Sequence, residues 1–164
     1  MHFAHSAAPR IDVTRGMGTL FWRPDLATGI REVDLQHEEL LANVSALGEA
    51  ARTGNLGLAE GVLACLERYA AEHFATEERV MWGAGYPDLD AHWSLHLSFA
   101  TELARRKGEY AAGRSRATLL ADLARWMERW LEEHLLGADA EMARFIRGRV
   151  DRTGTTAARR HGGP

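Results

Sequence analysis

The stretch His73-Phe74-Ala75-Thr76-Glu77-Glu78 decides how this 164-residue chain is read. His73 and Glu77 are four residues apart, and so are His92 and His96 further on. Positions four apart on an α-helix stack on one face, with Cβ atoms about 5–6 Å from each other. Two consecutive helical segments therefore each aim a pair of metal-type ligands in one direction. Trp130-Leu131-Glu132-Glu133-His134 adds another histidine, and Asp139 follows five residues later. Upstream, Val33-Asp34-Leu35-Gln36-His37 adds a fifth histidine. The remaining three of the eight, His2, His5 and His161, lie near the termini.

Each of the five falls in a segment with helical periodicity. His37, Leu40, Leu41, Val44 and Leu47 repeat at three and four over a first helix from about Val33 to Arg52, stopped by Thr53-Gly54-Asn55. A second helix, about Leu58 to Trp82, lines up Leu63, Leu66, Tyr69, Ala70, His73, Glu77 and Val80 or Met81, and Gly83 to Pro87 breaks it. Asp88 is placed to cap a third helix that runs to about Ala112 and buries Leu89, His92, Leu95, His96, Phe99 and Leu103. Gly113 ends it, and Ser115 can cap a fourth carrying Leu120, Leu123, Met127, Trp130 and His134. Four amphipathic helices joined by short Gly-containing loops predict an all-α, up-down-up-down four-helix bundle over residues 19–147. A short helix from about Asp139 to Arg147 follows a break at Gly137. Phe21-Trp22-Arg23-Pro24 reads as an N-terminal arm folded onto the bundle. Residues 1–18 read as a flexible segment and 148–164 as a disordered basic tail.

A lone histidine on an apolar face is ordinarily core. Here each of the four helices contributes a ligand-type residue to the stripe that must face inward. Each would otherwise be a buried polar group without a partner, and one central cation charge compensates all of them. Glu77 is the most telling, because Arg68 and Arg79 lie on other faces and are poorly placed to pair with it. Asp139 stands about 140° round an ideal helix from His134. Both reach one centre only if the helix is interrupted, and Gly137 is placed to allow that. Five imidazoles and two carboxylates are too many for one four-coordinate zinc ion. They suit two six-coordinate ions bridged by carboxylates, and the sequence has no Glu-x-x-His pair of the ferritin type. Imidazole dominance favours reversible binding over oxygenation.

The chain resembles the hemerythrin family, the bacterial single-domain members most. The residues that carry the resemblance are Gly29-Ile30 to Asp34, Gln36-His37, His73-Phe74 with Glu77-Glu78 and Met81, Gly85-Tyr86, His92 with His96, and Trp130-Leu131 with His134 and Asp139. It spans roughly residues 20–146. The resemblance implies a non-heme di-iron centre, two iron ions with a bridging oxo or hydroxo group. His92, His96 and His134 would saturate one iron. His37 and His73 would hold the other and leave a position for dioxygen. Glu77 and Asp139 would bridge. Phe74, Trp130 and Leu131 would wall a dry oxygen pocket. Met142 stands where many members carry a tyrosine three residues after the bridging aspartate, so an outer hydrogen bond is expected to be missing. The implied function is oxygen carriage, storage or delivery to an oxygen-consuming enzyme. The alternatives are a di-iron peroxidase or oxidase, an oxygen or nitric oxide sensor, and a purely structural bundle.

Composition bounds the rest. Net charge is −3, from 20 basic and 23 acidic residues, which offers no basic footprint for nucleic acid. No apolar run approaches the roughly 20 residues of a membrane span. A single cysteine, Cys65, allows no internal disulfide and suits a reducing compartment, so a cytoplasmic location is expected; a monomer is the separate expectation for its assembly.

Overall fold

The computed structural model describes residues 21–113 and 116–159. Its helices are α1 (Arg31–Thr53), α2 (Leu56–Ala84), α3 (Leu89–Ala111), α4 (Arg116–His134) and α5 (Ala140–Arg159). A single 3-10 turn, Pro24–Leu26, precedes α1, and a π turn, Leu135–Asp139, joins α4 to α5. In the bundle α1 packs on α2 and α4, and α3 closes the ring against the same two helices. The expected all-α bundle is present. The segments 1–18 and residues 160–164 of the expected tail lie outside the described residues, as does the Ser115 cap.

Local chemistry sets the helix ends. The Asn55 side chain accepts from the Leu58 backbone N–H at 3.1 Å, so α2 begins two residues before the expected start. Gly54, Gly85 and Gly113 end α1, α2 and α3 at φ of 68°, 62° and 80°, a left-handed conformation that glycine adopts without Cβ strain. Asp88 stands at the start of α3, but its side chain makes no cap bond. The start of α1 is tied differently. Asp34 accepts from the Thr28 backbone N–H and hydroxyl, both at 2.7 Å, and from Gly29 N–H at 3.1 Å. Arg147 donates to the Thr28 carbonyl, which pins α5 to the same corner.

The core has two parts. The larger runs from Leu40, Val44 and Leu47 through Leu63, Leu66, Phe99 and Leu103 to Leu120, Leu123 and Met127, all buried. The smaller holds Met81, Tyr86 and Met142, with Ile30, Leu89, Phe145 and Ile146 against it. Trp22 of the N-terminal arm packs on the larger part, while Phe21 stays 47% exposed. Leu95 is a correction to the expected inner stripe of α3: it is 43% exposed. Spacing explains it, because His92, His96, Phe99 and Leu103 already define the inward direction and Leu95 sits about 100° off His96.

Two sequence boundaries also move. Gly137 does not break the chain into separate helices. Its neighbours His134 and Ala140 keep right-handed helical dihedrals, and the backbone passes through the π turn without leaving the helix. The last helix then continues to Arg159 rather than stopping near Arg147.

The end of α2 offers a direct test. A Cβ at Gly85 meets the left-handed penalty and stands 3.4 Å from the Arg149 guanidinium, whereas one at Gly83 meets nothing within 4 Å. Gly85→Ala is expected to cost about 1–2 kcal/mol. Gly83→Ala should be neutral or slightly stabilising. Denaturant unfolding of both variants checks the contrast.

Candidate metal centre

The seven singled-out ligand residues converge in one buried layer between the two parts of the core. His37 and Asp139 are 0% exposed, Glu77 0%, His73 1%, and His92, His96 and His134 between 2% and 5%. They form two groups that share Glu77: His92, His96 and His134 with Glu77, and His37 and His73 with Glu77 and Asp139. Within each group one donor atom from every residue lies within 4.8 Å of the others.

The carboxylates divide their oxygens between the groups. Glu77 Oε1 faces His37 Nε2 at 3.5 Å and His73 Nε2 at 3.6 Å. Its Oε2 faces His96 Nε2 at 3.1 Å, His92 Nε2 at 3.4 Å and His134 Nε2 at 4.0 Å. Asp139 Oδ2 faces His37 Nε2 at 3.3 Å, and its Oδ1 faces His134 and His92 at 3.1 and 3.3 Å. Among the described residues none of these four oxygens has a properly directed hydrogen-bond partner, and neither does either nitrogen of His37 or His92. The His96 and His134 Nε2 atoms stand 3.2 Å apart. Two bare lone pairs at that distance repel unless a proton or a cation lies between them. Buried and unpaired polar atoms at this density are costly, and bound cations would satisfy them together. The donor set therefore fits a metal centre.

Residues 28–146 match the model of the hemerythrin HHE cation-binding domain. The chain belongs to the hemerythrin family. Among similar proteins, the bacteriohemerythrin of Pseudomonas paraeruginosa is 30% identical over 131 residues, 80% of this chain and 84% of that one. The bacteriohemerythrin of Stenotrophomonas maltophilia is 29% identical over 82% of this chain and 86% of its own. A hemerythrin alpha subunit of Lingula reevii is 28% identical over 72% and 87%. A solved crystal structure of a leucine-to-phenylalanine mutant superposes with a TM-score of 0.72 at 26% identity, covering 79% of this chain and 98% of that one.

In this chain the π turn brings His134 and Asp139 together. A π turn bonds i to i+5, so residues five apart stack as residues four apart do in an α-helix. The widened turn replaces the break expected at Gly137.

Aromatic rings wall the layer. Phe74 stacks on His96 with centroids 3.9 Å apart, and Trp130 stacks on His134 at 4.2 Å. Leu131 is 2% exposed in the larger core, one turn before Leu135. Trp22, which the sequence assigns only to the N-terminal arm, lies beside the site, its ring centroid 6.5 Å from that of His37. Its aromaticity ahead of Pro24 was the available signal. Two ligands also have hydrogen-bonded partners outside the layer that the spacing of the ligands does not specify. His96 Nδ1–H donates to Glu78 Oε1 at 3.1 Å, and His73 Nδ1 faces Gln36 Oε1 at 3.4 Å. Both partners sit beside a ligand in sequence, and that adjacency was the only clue. Met142 is fully buried in the small core with Tyr86.

Burial and charge pull the layer's proton affinities apart. Burial lowers His37, but Asp139 and Glu77 outweigh it and hold the ring at about 9. His92 stands at about 9 for the same reasons, and His134 is also raised. Burial dominates at His73 and brings it down to about 4. Burial raises Glu77, but His73 and the other facing rings hold it well below its ordinary value. Asp139 is likewise lowered: burial and Glu77 push it up, and His134, His37 and His92 bring it down.

Two expectations follow for the protein stripped of metal. His37 and His92 are raised on folding, so their stabilisation is complete below pH 6.5 and lost as pH climbs through about 9. Depressed groups act the other way: His73 removes stability as pH falls below 6.5, and Glu77 and Asp139 do so at more acid pH. The melting temperature of the metal-free chain should peak near pH 6.5 and fall towards pH 9, while cation affinity rises over that span because ligation needs neutral imidazole. Melting curves in chelator, beside proton release on metal addition, check both signs.

Deletions test the π turn. Removing Gly137 leaves His134 and Asp139 four apart on a plain α-helix, the spacing of His73 and Glu77, and should preserve cation binding. Removing Arg129 instead rotates both ligands about 100° against the Leu120–Met127 stripe and should abolish it. Cobalt uptake by the two variants separates the cases.

Proposed function

We propose that this chain binds dioxygen reversibly at a two-iron centre held by His37, His73, Glu77, His92, His96, His134 and Asp139. The observation that carries the reading is the division of both buried carboxylates between two unequal histidine groups. A carboxylate with one oxygen turned to each group is a bridge in waiting. Three imidazoles on one side and two on the other leave the sides differently filled, which suits one closed ion and one with a position for a small ligand. Two ferrous ions, when bound, supply the two electrons that dioxygen takes up and returns.

The chain's own residues do the rest. Glu77 and Asp139 balance two units of the cationic charge within a layer that excludes water. His92, His96 and His134 present Nε2 to the closed side, and His37 and His73 to the open side. Trp130, stacked on His134, covers the closed side, Phe74 lies against both His96 and His73, and Trp22 stands beside His37, so the rings keep solvent from both sides of the layer. Leu131 closes the wall on α4. A carrier, store or delivery protein needs this dryness more than it needs acid–base groups. An oxygen-consuming enzyme is the partner that delivery implies.

Reconstitution with ferrous ion tests the reading. About two irons per chain are expected, with a visible band that appears in air and disappears on removal of oxygen. A folded protein that retains one metal or none overturns it, and steady peroxide turnover with an electron donor would favour an enzyme. Glu77→Gln should lose metal, because a neutral amide is a poor bridge. Leu131→Ala should keep both irons, oxidise faster in air, and lose about 2–5 kcal/mol of stability through the cavity it leaves.

A further inference from the structure

The two histidine groups differ in what stands behind them. On the three-histidine side His96 donates from Nδ1 to the Glu78 carboxylate at 3.1 Å. On the two-histidine side a chain of neutral hydrogen bonds fixes His73. The Thr76 hydroxyl donates to the Glu72 carbonyl at 3.0 Å, so it accepts from Gln36 Nε2 at 3.1 Å. That turns Gln36 Oε1 towards His73 Nδ1, at 3.4 Å, and leaves His73 Nε2 bare to the layer. His37 and His92 have no partner at Nδ1 among the described residues. One side thus leans on an anion and the other on an amide.

Both partners fix a tautomer, but only one adds charge. A carboxylate behind an imidazole makes the opposite nitrogen a stronger donor and attracts the cation through the ring. An amide orients the ring and does little more. Glu78 is 32% exposed, so water screens its field only in part.

We propose that Glu78 is a positioning residue that makes the three-histidine position the first and tighter of the two to load, with the Gln36 position filling second. The inference rests on the two-metal reading above. It concerns the order and strength of loading, so a redox-silent ion tests it without oxygen chemistry.

The experiment titrates the full metal-free chain with zinc ion by calorimetry, alongside Glu78→Gln and Gln36→Glu. The parent should show two unequal steps. Glu78→Gln should weaken the first step roughly 10- to 100-fold, the usual effect of losing such an outer partner, and leave the second step in place. Gln36→Glu should tighten the second step and narrow the gap. A role confined to holding helices together would shift both steps alike, and that outcome overturns the proposal. So does a first step unchanged in Glu78→Gln. Should Glu78→Gln fail to fold, Gln36→Glu decides alone, and an unchanged second step there is also fatal. A parent that takes up fewer than two ions defeats the two-metal reading itself, a result visible before any variant is made.

Discussion

Two carboxylates with no exposed surface lie at the centre of this bundle, and the rest of the molecule is arranged around making them tolerable. An ionised carboxylate deep in an apolar interior is among the costliest groups a protein can bury. Here five imidazoles surround the pair, drawn from α1, α2, α3 and α4, with Asp139 supplied by the π turn. The polar layer divides the apolar core in two. Leucines and aromatics fill the side towards Leu47, Leu66 and Leu120, and a small group around Met81, Tyr86 and Met142 seals the other. All seven residues of the layer are buried, so the charges there interact more strongly than they would in water.

The geometry of the C-terminal half follows from that constraint. A regular α-helix places residues five apart on different faces. Inserting one residue into a single turn turns Asp139 back towards His134 while the helix runs on into α5. The extension gives Arg147 its reach to the Thr28 carbonyl, beside the Asp34 clamp that starts α1. The turn that aims a ligand and the helix that fastens the N-terminal corner are one continuous element.

Much of this was readable in the residues. The three-four periodicity of His37, His73, His92 and His134 with their leucine neighbours predicted four helices and which face of each turns inward. Glycine at the left-handed ends of α1, α2 and α3 marked their limits. Other features depend on tertiary context. A π turn has no distinctive composition, so Leu135–Asp139 read as a break. Leu95 read as core because apolar character alone does not say which of two adjacent faces a neighbour covers. The bonds from Gln36 and Glu78 join residues 37 and 18 positions apart, and only the packing of α1 and α3 on α2 reveals them. Trp22 precedes the bundle, and nothing in its local pattern identifies His37 as its neighbour.

The sequence positions of the layer's members bear on how the protein is made. His37 and Asp139 are separated by about a hundred residues, and contacts so distant in the chain form after the local helices between them. A nascent chain that has formed α1, α2 and α3 holds four imidazoles and Glu77, but lacks the last histidine and the second carboxylate. Its hydrophobic faces have no fourth helix to cover them. Completion of α4 and the π turn closes the apolar ring and assembles the charged layer in the same event. Maturation of the site thereby waits on the synthesis of α4 and the π turn, and the half-built form is the species most exposed to aggregation and to misplaced ions.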